Sequence, residues 1–342
     1  MSETTITNAE EFAGWQKVVK KYATPDVNRG TWQIINSYGG LFAGWVVMYV
    51  ALQFVGIWLA LLLAIPTAGF LVRIFIIQHD CGHGSFMKSK KANDWIGAIS
   101  GVFTLTPYKL WRRSHAIHHA HHADLDDRGT GDIWTLTVDE YLNAPMWQKV
   151  AYRIFRNPFF LFGIAPIFQF IILSRFHYGM GSERNKQNNR SLLATNLGLA
   201  LLLILPSLLI GWQAVLILWL PVAIIASSAG TWMFYVQHQF EDTYWEHKPE
   251  WDYTLAAMAG SSYYELPKVL QWFTGNIGFH HIHHLSPRIP NYNLQACHEE
   301  NEIMQRVVKL TLWTSFETVF LALWDEGNRT LITFRQAMQL QA

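Results

Sequence analysis

Three short runs of histidine dominate this chain of 342 residues, which has 15 histidines in all. The first run is His79-Asp80-Cys81-Gly82-His83. If helical, it sets His79 and His83 at i and i+4 on one face, a two-imidazole presentation. The second is His115-Ala116-Ile117-His118-His119, where His115 shares a helical face with both His118 and His119. The third, His280-His281-Ile282-His283-His284, repeats that spacing at 280, 283 and 284. Neutral imidazole is a common ligand for zinc, copper, iron and nickel. Eight imidazoles exceed the four ligands of a tetrahedral site, so the pattern predicts two metals. Two imidazole-rich irons near a membrane face would suit activation of oxygen against an unreactive C–H bond.

His238 closes the apolar run Tyr235-Val236-Gln237-His238 and emerges beside the three runs, so it is read as a ninth ligand. His121, His122 and His281 adjoin the ligand pattern and are read as passengers or supporting groups. His177, His247 and His298 stand alone and are read as ordinary polar residues. Ligating imidazoles usually donate their other N–H to a carboxylate or carbonyl. Asp80, Asp124, Asp126, Asp127, Asp132 and Glu265 are the nearby acids, with Asp80 and Asp132 ranked first. Arg112 and Arg113, before the second run, are read as interfacial anchors or as partners for a phosphate or carboxylate headgroup.

The elements that must hold these groups are membrane helices. Hydrophobic residues make up 51% of the chain and charged residues 15%, against about 25% charged in soluble domains. Sixteen Trp suit two long membrane interfaces. Apolar sequence over 35–77, with a break near Gln53–Gly56, is length for two crossings. A second run over 191–236, interrupted at Pro206 and at Gly211-Trp212-Gln213, is two more. Trp95–Pro107 and Pro158–Leu173 are too short for full spans and read as interfacial or re-entrant. All 26 Lys and Arg fall within 1–29, 73–190 and 248–342, and none lies in the hairpin turns. By the positive-inside rule those three regions are cytoplasmic, which puts every histidine run on one side.

The expected fold is therefore all-α: a polytopic membrane protein with four transmembrane helices in two hairpins and a cytoplasmic helical cap carrying a histidine-rich di-iron site. A single domain is expected over 1–342. It divides into an interfacial N-terminal segment 1–34, hairpin 35–77, region 78–190 with the first two runs, hairpin 191–236, and region 237–342 with the third run and a tail. The N-terminal segment should carry a short amphipathic helix around Phe12, Trp15, Val18 and Val19. Residues from Glu299 onward read as an amphipathic cytoplasmic tail. Both termini and the site are expected to be cytoplasmic, with a bacterial inner membrane as the location. The acidic, polar N-terminus predicts no cleavable signal peptide. Cys81 and Cys297 form no disulfide framework. A net charge of +1 argues against nucleic acid as a partner.

The three boxes resemble those of the membrane fatty acid desaturase family, and the resemblance runs from about Ile35 to Asn293. His79-Asp80-Cys81-Gly82-His83-Gly84 looks like the first box of the Δ12/ω-6 acyl-lipid branch. His280 to Leu285, followed by Pro290-Asn291-Tyr292-Asn293, looks like its third box and tail, and Gly131 to Val138 resembles bacterial members. Phe234 stands where the Δ9 acyl-CoA branch has Asn, a departure from that branch. The resemblance implies a di-iron centre on the eight box histidines and His238, with O2 as co-substrate. It also implies removal of two hydrogens from adjacent methylenes of an acyl lipid or thioester, at Δ12 of a lipid-bound C18 chain. No haem-binding or dinucleotide motif is present, so electrons must come from a separate ferredoxin or cytochrome b5 on the cytoplasmic face. The same boxes suit a di-iron hydroxylase or ketolase acting on an acyl, alkane or carotenoid substrate. A metal transporter is disfavoured, because the run 191–236 lacks Asp, Glu, Lys and Arg.

Overall fold

A computed structural model describes residues 8–129, 131–176 and 185–340. His177 lies outside them. The N-terminal amphipathic segment forms a 3-10 turn, Ala9–Phe12, and helix α1, Trp15–Lys20. Phe12 and Val19 are buried, with Trp15 and Val18 packed against the same core.

Helix α2, Val27–Phe54, starts at Asp26, whose carboxylate accepts from the backbone N–H of Asn28 and Arg29. It turns at Gly56, whose φ of 133° only glycine adopts without strain, into α3, Ile57–His83. Two glycines of α2 sit against side chains of α3 with no room for a side chain of their own. A Cβ on Gly40 would stand 2.1 Å from the Phe70 ring, and one on Gly44 would stand 2.6 Å from Thr67. Small residues spaced by four allow such backbone contact inside a membrane. Gly44→Leu should therefore cost about 1–3 kcal/mol by overpacking. Gly39→Leu should be tolerated, because a Cβ there meets nothing within 4 Å. Thermal unfolding midpoints of the two variants in detergent check this.

Helix α4, Lys90–Phe103, and α5, Tyr108–His121, form the next hairpin, packed on α3. Helices α6, Val138–Asn143, and α7, Met146–Phe155, follow a short strand β1, Leu136–Thr137. The stretch expected to be interfacial or re-entrant then forms π-helical turns at Phe160–Ile164 and Ile167–Ile172, bent by 63° from α7. Helix α8, Lys186–Ile210, and α9, Trp212–His238, make the second long hairpin. Its turn falls at Gly211, as the sequence indicates, but Pro206 does not break α8. A proline this close to the C-terminal end of a helix removes one backbone donor and is tolerated in membrane helices. Among the described residues four helices, α2, α3, α8 and α9, are long and apolar enough to cross a membrane, or five segments if the bent pair counts as one. Phe54, Trp58, Leu208, Leu209 and Trp212 are strongly exposed at the far ends of the hairpins, as lipid and interface contacts require.

The remaining elements form a cap: α10, Tyr253–Met258; β2, Tyr263–Glu265; α11, Lys268–Phe273; α12, His280–Leu285; and α13, Asn291–Glu299. The C-terminal region departs from the expected amphipathic tail. Strand β3, Lys309–Thr311, pairs parallel with β2. Strand β4, Leu321–Asp325, sits between β1 and β5, Thr330–Thr333, before the last helix α14, Phe334–Gln339. All five residues of β4 are buried, which explains why Leu321-Ala322-Leu323-Trp324 has no amphipathic alternation. The Arg156 guanidinium donates to the Leu321 carbonyl at 2.5 Å, and the Tyr235 hydroxyl lies 2.9 Å from the same oxygen. The tail is thus fastened to the top of α9, three residues from His238.

Candidate metal centre

Four helix ends bring the histidines together. Helix α3 stops at His83 because Gly84 takes a left-handed φ of 73° and caps it. Helix α5 supplies His115, His118 and His119; the end of α9 supplies His238; α12 supplies His280, His283 and His284. The ring nitrogens fall into two sets. In the first, one nitrogen from each of His79, His83, His115, His119 and His283 lies within 4.8 Å of all the others. In the second, His118, His238 and His284 do the same. His280 joins the second set, its Nε2 standing 3.0 Å from His238 Nε2 and 3.1 Å from His284 Nε2.

The donor set fits metal ions. Nε2 of His119 lies 3.1 Å from that of His115 and 2.9 Å from that of His283. Two imidazole nitrogens at right angles on one ion, each about 2.1 Å from it, would stand about 3.0 Å apart. Nε2 of His83 and of His118 are buried with no protein partner. A buried unsatisfied polar atom costs about 1–3 kcal/mol, and a cation at the centre of each set removes that cost.

The outer nitrogens of His79, His118 and His238 are held by other groups. His79 Nδ1 donates to Asp80 Oδ1 at 3.0 Å, and Asp80 Oδ2 accepts from the backbone and side-chain N–H of Asn291 at 2.6 and 2.8 Å. His118 Nδ1 donates to Asp132 at 2.6 Å. The Gly260 carbonyl accepts from His238 Nδ1 at 3.3 Å and from His122 Nε2 at 2.8 Å. Trp111 stacks on His115, with ring centroids 4.7 Å apart and planes within 17°.

The other candidates lie apart. Asp124 and Asp127 pair with Lys248, Asp127 also with His121, and Asp126 with His247, in a partly exposed network. Glu265 pairs with Lys309. Arg112 pairs with Asp94. His281 turns away from both sets and donates to the Met304 carbonyl at 2.8 Å. His298 packs near it, with ring centroids 5.5 Å apart. His122 instead faces the centre, its ring 4.2 Å from His238 and 4.7 Å from His284.

Burial, reinforced by neighbouring imidazoles, holds His115, His119, His280, His283 and His284 neutral well below the ordinary histidine range. Burial, with the neighbouring imidazole of His118 for His122 and of His298 for His281, pushes these two down to about 3. Lone pairs are therefore free for metal near pH 7. In the unfolded chain these rings take up protons near pH 6.5, while in the folded metal-free chain they do not. Because the unfolded state binds more protons there, stability is full above pH 6.5 and falls as pH drops below it. Thermal unfolding of the metal-free protein across pH 8 to 5 should be level at first and then decline steeply.

Beneath the histidines lies a cavity of about 830 Å³, in the usual range for a ligand site. Its walls are α3, α9, the π-helical turns and the end of α4, and His79, His115 and His280 reach it from above. Leu71, Phe75, Ile76, Phe103, Leu161 and Met233 are typical of a lining that is mostly apolar.

Fold and site define a membrane protein with two sets of converging histidines, able to hold metal ions, above an apolar cavity. The model of the family described as Fatty acid desaturase matches residues 54–314, so the chain belongs to the fatty acid desaturase family, a family of oxidoreductases. The fatty acid desaturase of Bacillus subtilis (strain 168) is 46% identical over 335 residues, covering 98% of this chain and 94% of that one. More distant is the sn-1 oleoyl-lipid 12-desaturase of Synechocystis sp. (strain ATCC 27184 / PCC 6803 / Kazusa), 26% identical over 68% of this chain and 65% of its own. The endoplasmic reticulum omega-3 fatty acid desaturase of Vigna radiata var. radiata is 30% identical over 65% of this chain and 59% of its own.

Proposed function

We propose that this protein is an O2-dependent di-iron desaturase that introduces a cis double bond into a membrane-lipid acyl chain. The observation carrying this reading is the pairing of two converging imidazole sets with a deep apolar cavity directly below them. Its regiochemistry is Δ12/ω-6 on a C18 chain, a position supported by the similarity to the Synechocystis oleoyl-lipid 12-desaturase. One iron is held by His79, His83, His115, His119 and His283, the other by His118, His238, His280 and His284. When bound, the pair would supply reduction of O2 to two waters, with two electrons and two protons from the substrate C–H bonds, two electrons from an external ferredoxin or cytochrome b5, and two protons from solvent. Asp80 and Asp132 fix the tautomer and direction of His79 and His118, so that each presents its free nitrogen inward. The apolar walls orient the chain and exclude water from the reacting carbons. The histidine face, with both termini, is cytoplasmic in a bacterial inner membrane, consistent with the distribution of Lys and Arg.

A fatty acid methyl ester profile tests this. The chain is expressed, with an electron carrier, in a host that makes oleate but no polyunsaturates. A diene should appear only when the boxes are intact, with its new bond at Δ12. A hydroxylated product would move the protein to the hydroxylase class, and iron-loaded protein that alters no acyl chain would remove the acyl substrate.

A further inference from the structure

The segment joining β3 to β4 is inside out compared with a water-facing surface. It runs as two 3-10 turns, Thr314–Phe316 and Thr318–Phe320. Three residues per turn put Ser315 and Thr318 on the inner side and Trp313 and Phe316 on the outer, where Phe320 follows. The inner side is polar and satisfied. The buried Ser315 hydroxyl donates to the Leu312 carbonyl at 2.7 Å and lies 3.1 Å from the Tyr264 hydroxyl, which accepts from Trp232 Nε1 at 3.1 Å. The Tyr235 hydroxyl lies 2.9 Å from the Thr318 carbonyl. The outer side is aromatic: Trp313, Phe316 and Phe320 are 77%, 51% and 64% exposed. Thr314 and Glu317 are exposed beside them.

Helix α9 sets the depth of this face. The Phe316 and Trp232 ring centroids are 5.1 Å apart, and Trp232 packs on Phe162 of the π-helical turns at 4.9 Å. Trp232 lies six residues (238 less 232) below His238, about 9 Å of rise. It still belongs to the apolar run read as a crossing, so the aromatic face stands beside the last turns of a span. Helix α7 continues the face. Its Trp147, Val150 and Ile154, at spacings of three and four, are exposed, while Tyr152 on the opposite side donates to the Ala322 carbonyl just past the segment. A contiguous apolar patch of this kind marks a contact surface, and Trp and Phe beside a span match a membrane interface. We infer that Trp313, Phe316 and Phe320 sink into the leaflet on the histidine side, and that lipid is what covers this face. The exposed Thr314 and Glu317 fix the depth at the headgroup boundary, where amphipathic elements lie. The C-terminal sheet is then held by the bilayer as well as by α9, whatever the substrate of the site.

The wild-type chain tests this without any variant. It is reconstituted in phosphatidylcholine vesicles containing a phosphatidylcholine with a photoactivated diazirine on its acyl chain. Trypsin should release the segment whole, as peptide 310–329, because Lys309 and Arg329 bound it and no other Lys or Arg lies between. After illumination that peptide should carry the lipid adduct on Trp313, Phe316 or Phe320. Peptide 289–306, which covers α13 of the cap, should stay at background. A nitroxide on Phe320→Cys then tells lipid from protein as the cover. Cys81 and Cys297 are buried, so the label goes to the new thiol. In vesicles its collisions with molecular oxygen should exceed those with a water-soluble nickel chelate. The order should reverse for a label on Glu250→Cys, an exposed position of the cap near Lys248. Peptide 310–329 left unlabelled while the long helices are labelled would overturn the inference. So would nickel collisions prevailing at position 320. Low collision rates with both reagents would overturn it too, because a second copy of the chain or another protein would then cover the face.

Discussion

His283→Ala should abolish desaturation and lower bound iron from two per chain to one. His283 is 1% exposed and belongs to the five-histidine set. Its Nε2 is 2.9 Å from His119 Nε2, and its ring centroid lies 4.3 Å from His79 and 4.9 Å from His83. Alanine removes a ligand from the middle of that set and leaves no nearby group to replace it. The loss of product should exceed the roughly 10–100-fold cost of removing an outer partner of a ligand. His280 and His284, on the same short helix, belong to the other set, so the second iron should stay. His281→Ala is the contrast. That ring faces away and bonds to the Met304 carbonyl, so both irons should remain while stability falls by about 1–3 kcal/mol. Metal analysis of the purified variants beside the acyl profile separates the cases. Retention of both irons by His283→Ala would contradict the two-set assignment.

Much of the centre is legible in the sequence because helical spacing alone decides which side chains share a face. The box residues and His238 are brought together, and the hairpin turns fall where glycine and the end of apolar sequence put them. His121 and His122 follow His118 by three and four residues, so helical spacing does not separate them, yet the structure turns His121 to Asp127 and puts His122 at the centre. Other features have no local signature. The Gly260 carbonyl is backbone, and any residue type carries one. Asp124, Asp126 and Asp127 are candidates in sequence too, ranked below Asp132. What separates them is the return of the chain at Glu246–Lys248, where Asp124 bridges to Glu246 and Lys248 collects the carboxylates. The cavity was not legible because a Phe facing lipid and a Phe facing a channel look alike in an apolar run. Strand β4 was hidden for a related reason: a short, wholly buried strand has no alternation to mark it.

Asp80→Asn should cost about 10–100-fold in activity and iron affinity, the range for outer partners of metal ligands. Asp80 is 1% exposed and links two boxes. One oxygen accepts from His79 Nδ1, while the other accepts from both N–H groups of Asn291, just after the third box. Asparagine has the same shape but only one acceptor oxygen. If that oxygen faces His79, its NH2 meets two donors of Asn291; if it is flipped, the NH2 meets His79 Nδ1–H. Either way a buried donor loses its acceptor, at about 1–3 kcal/mol. Asp132→Asn should be milder, because its single bond to His118 can be kept by the amide oxygen. Iron affinity by chelator competition, together with the unfolding midpoint, distinguishes the roles. A purely structural Asp80 would lower the midpoint and leave iron affinity unchanged. A positioning Asp80 would lower affinity, and the loss would fall on the five-histidine set, because His79 is the ligand set free to turn.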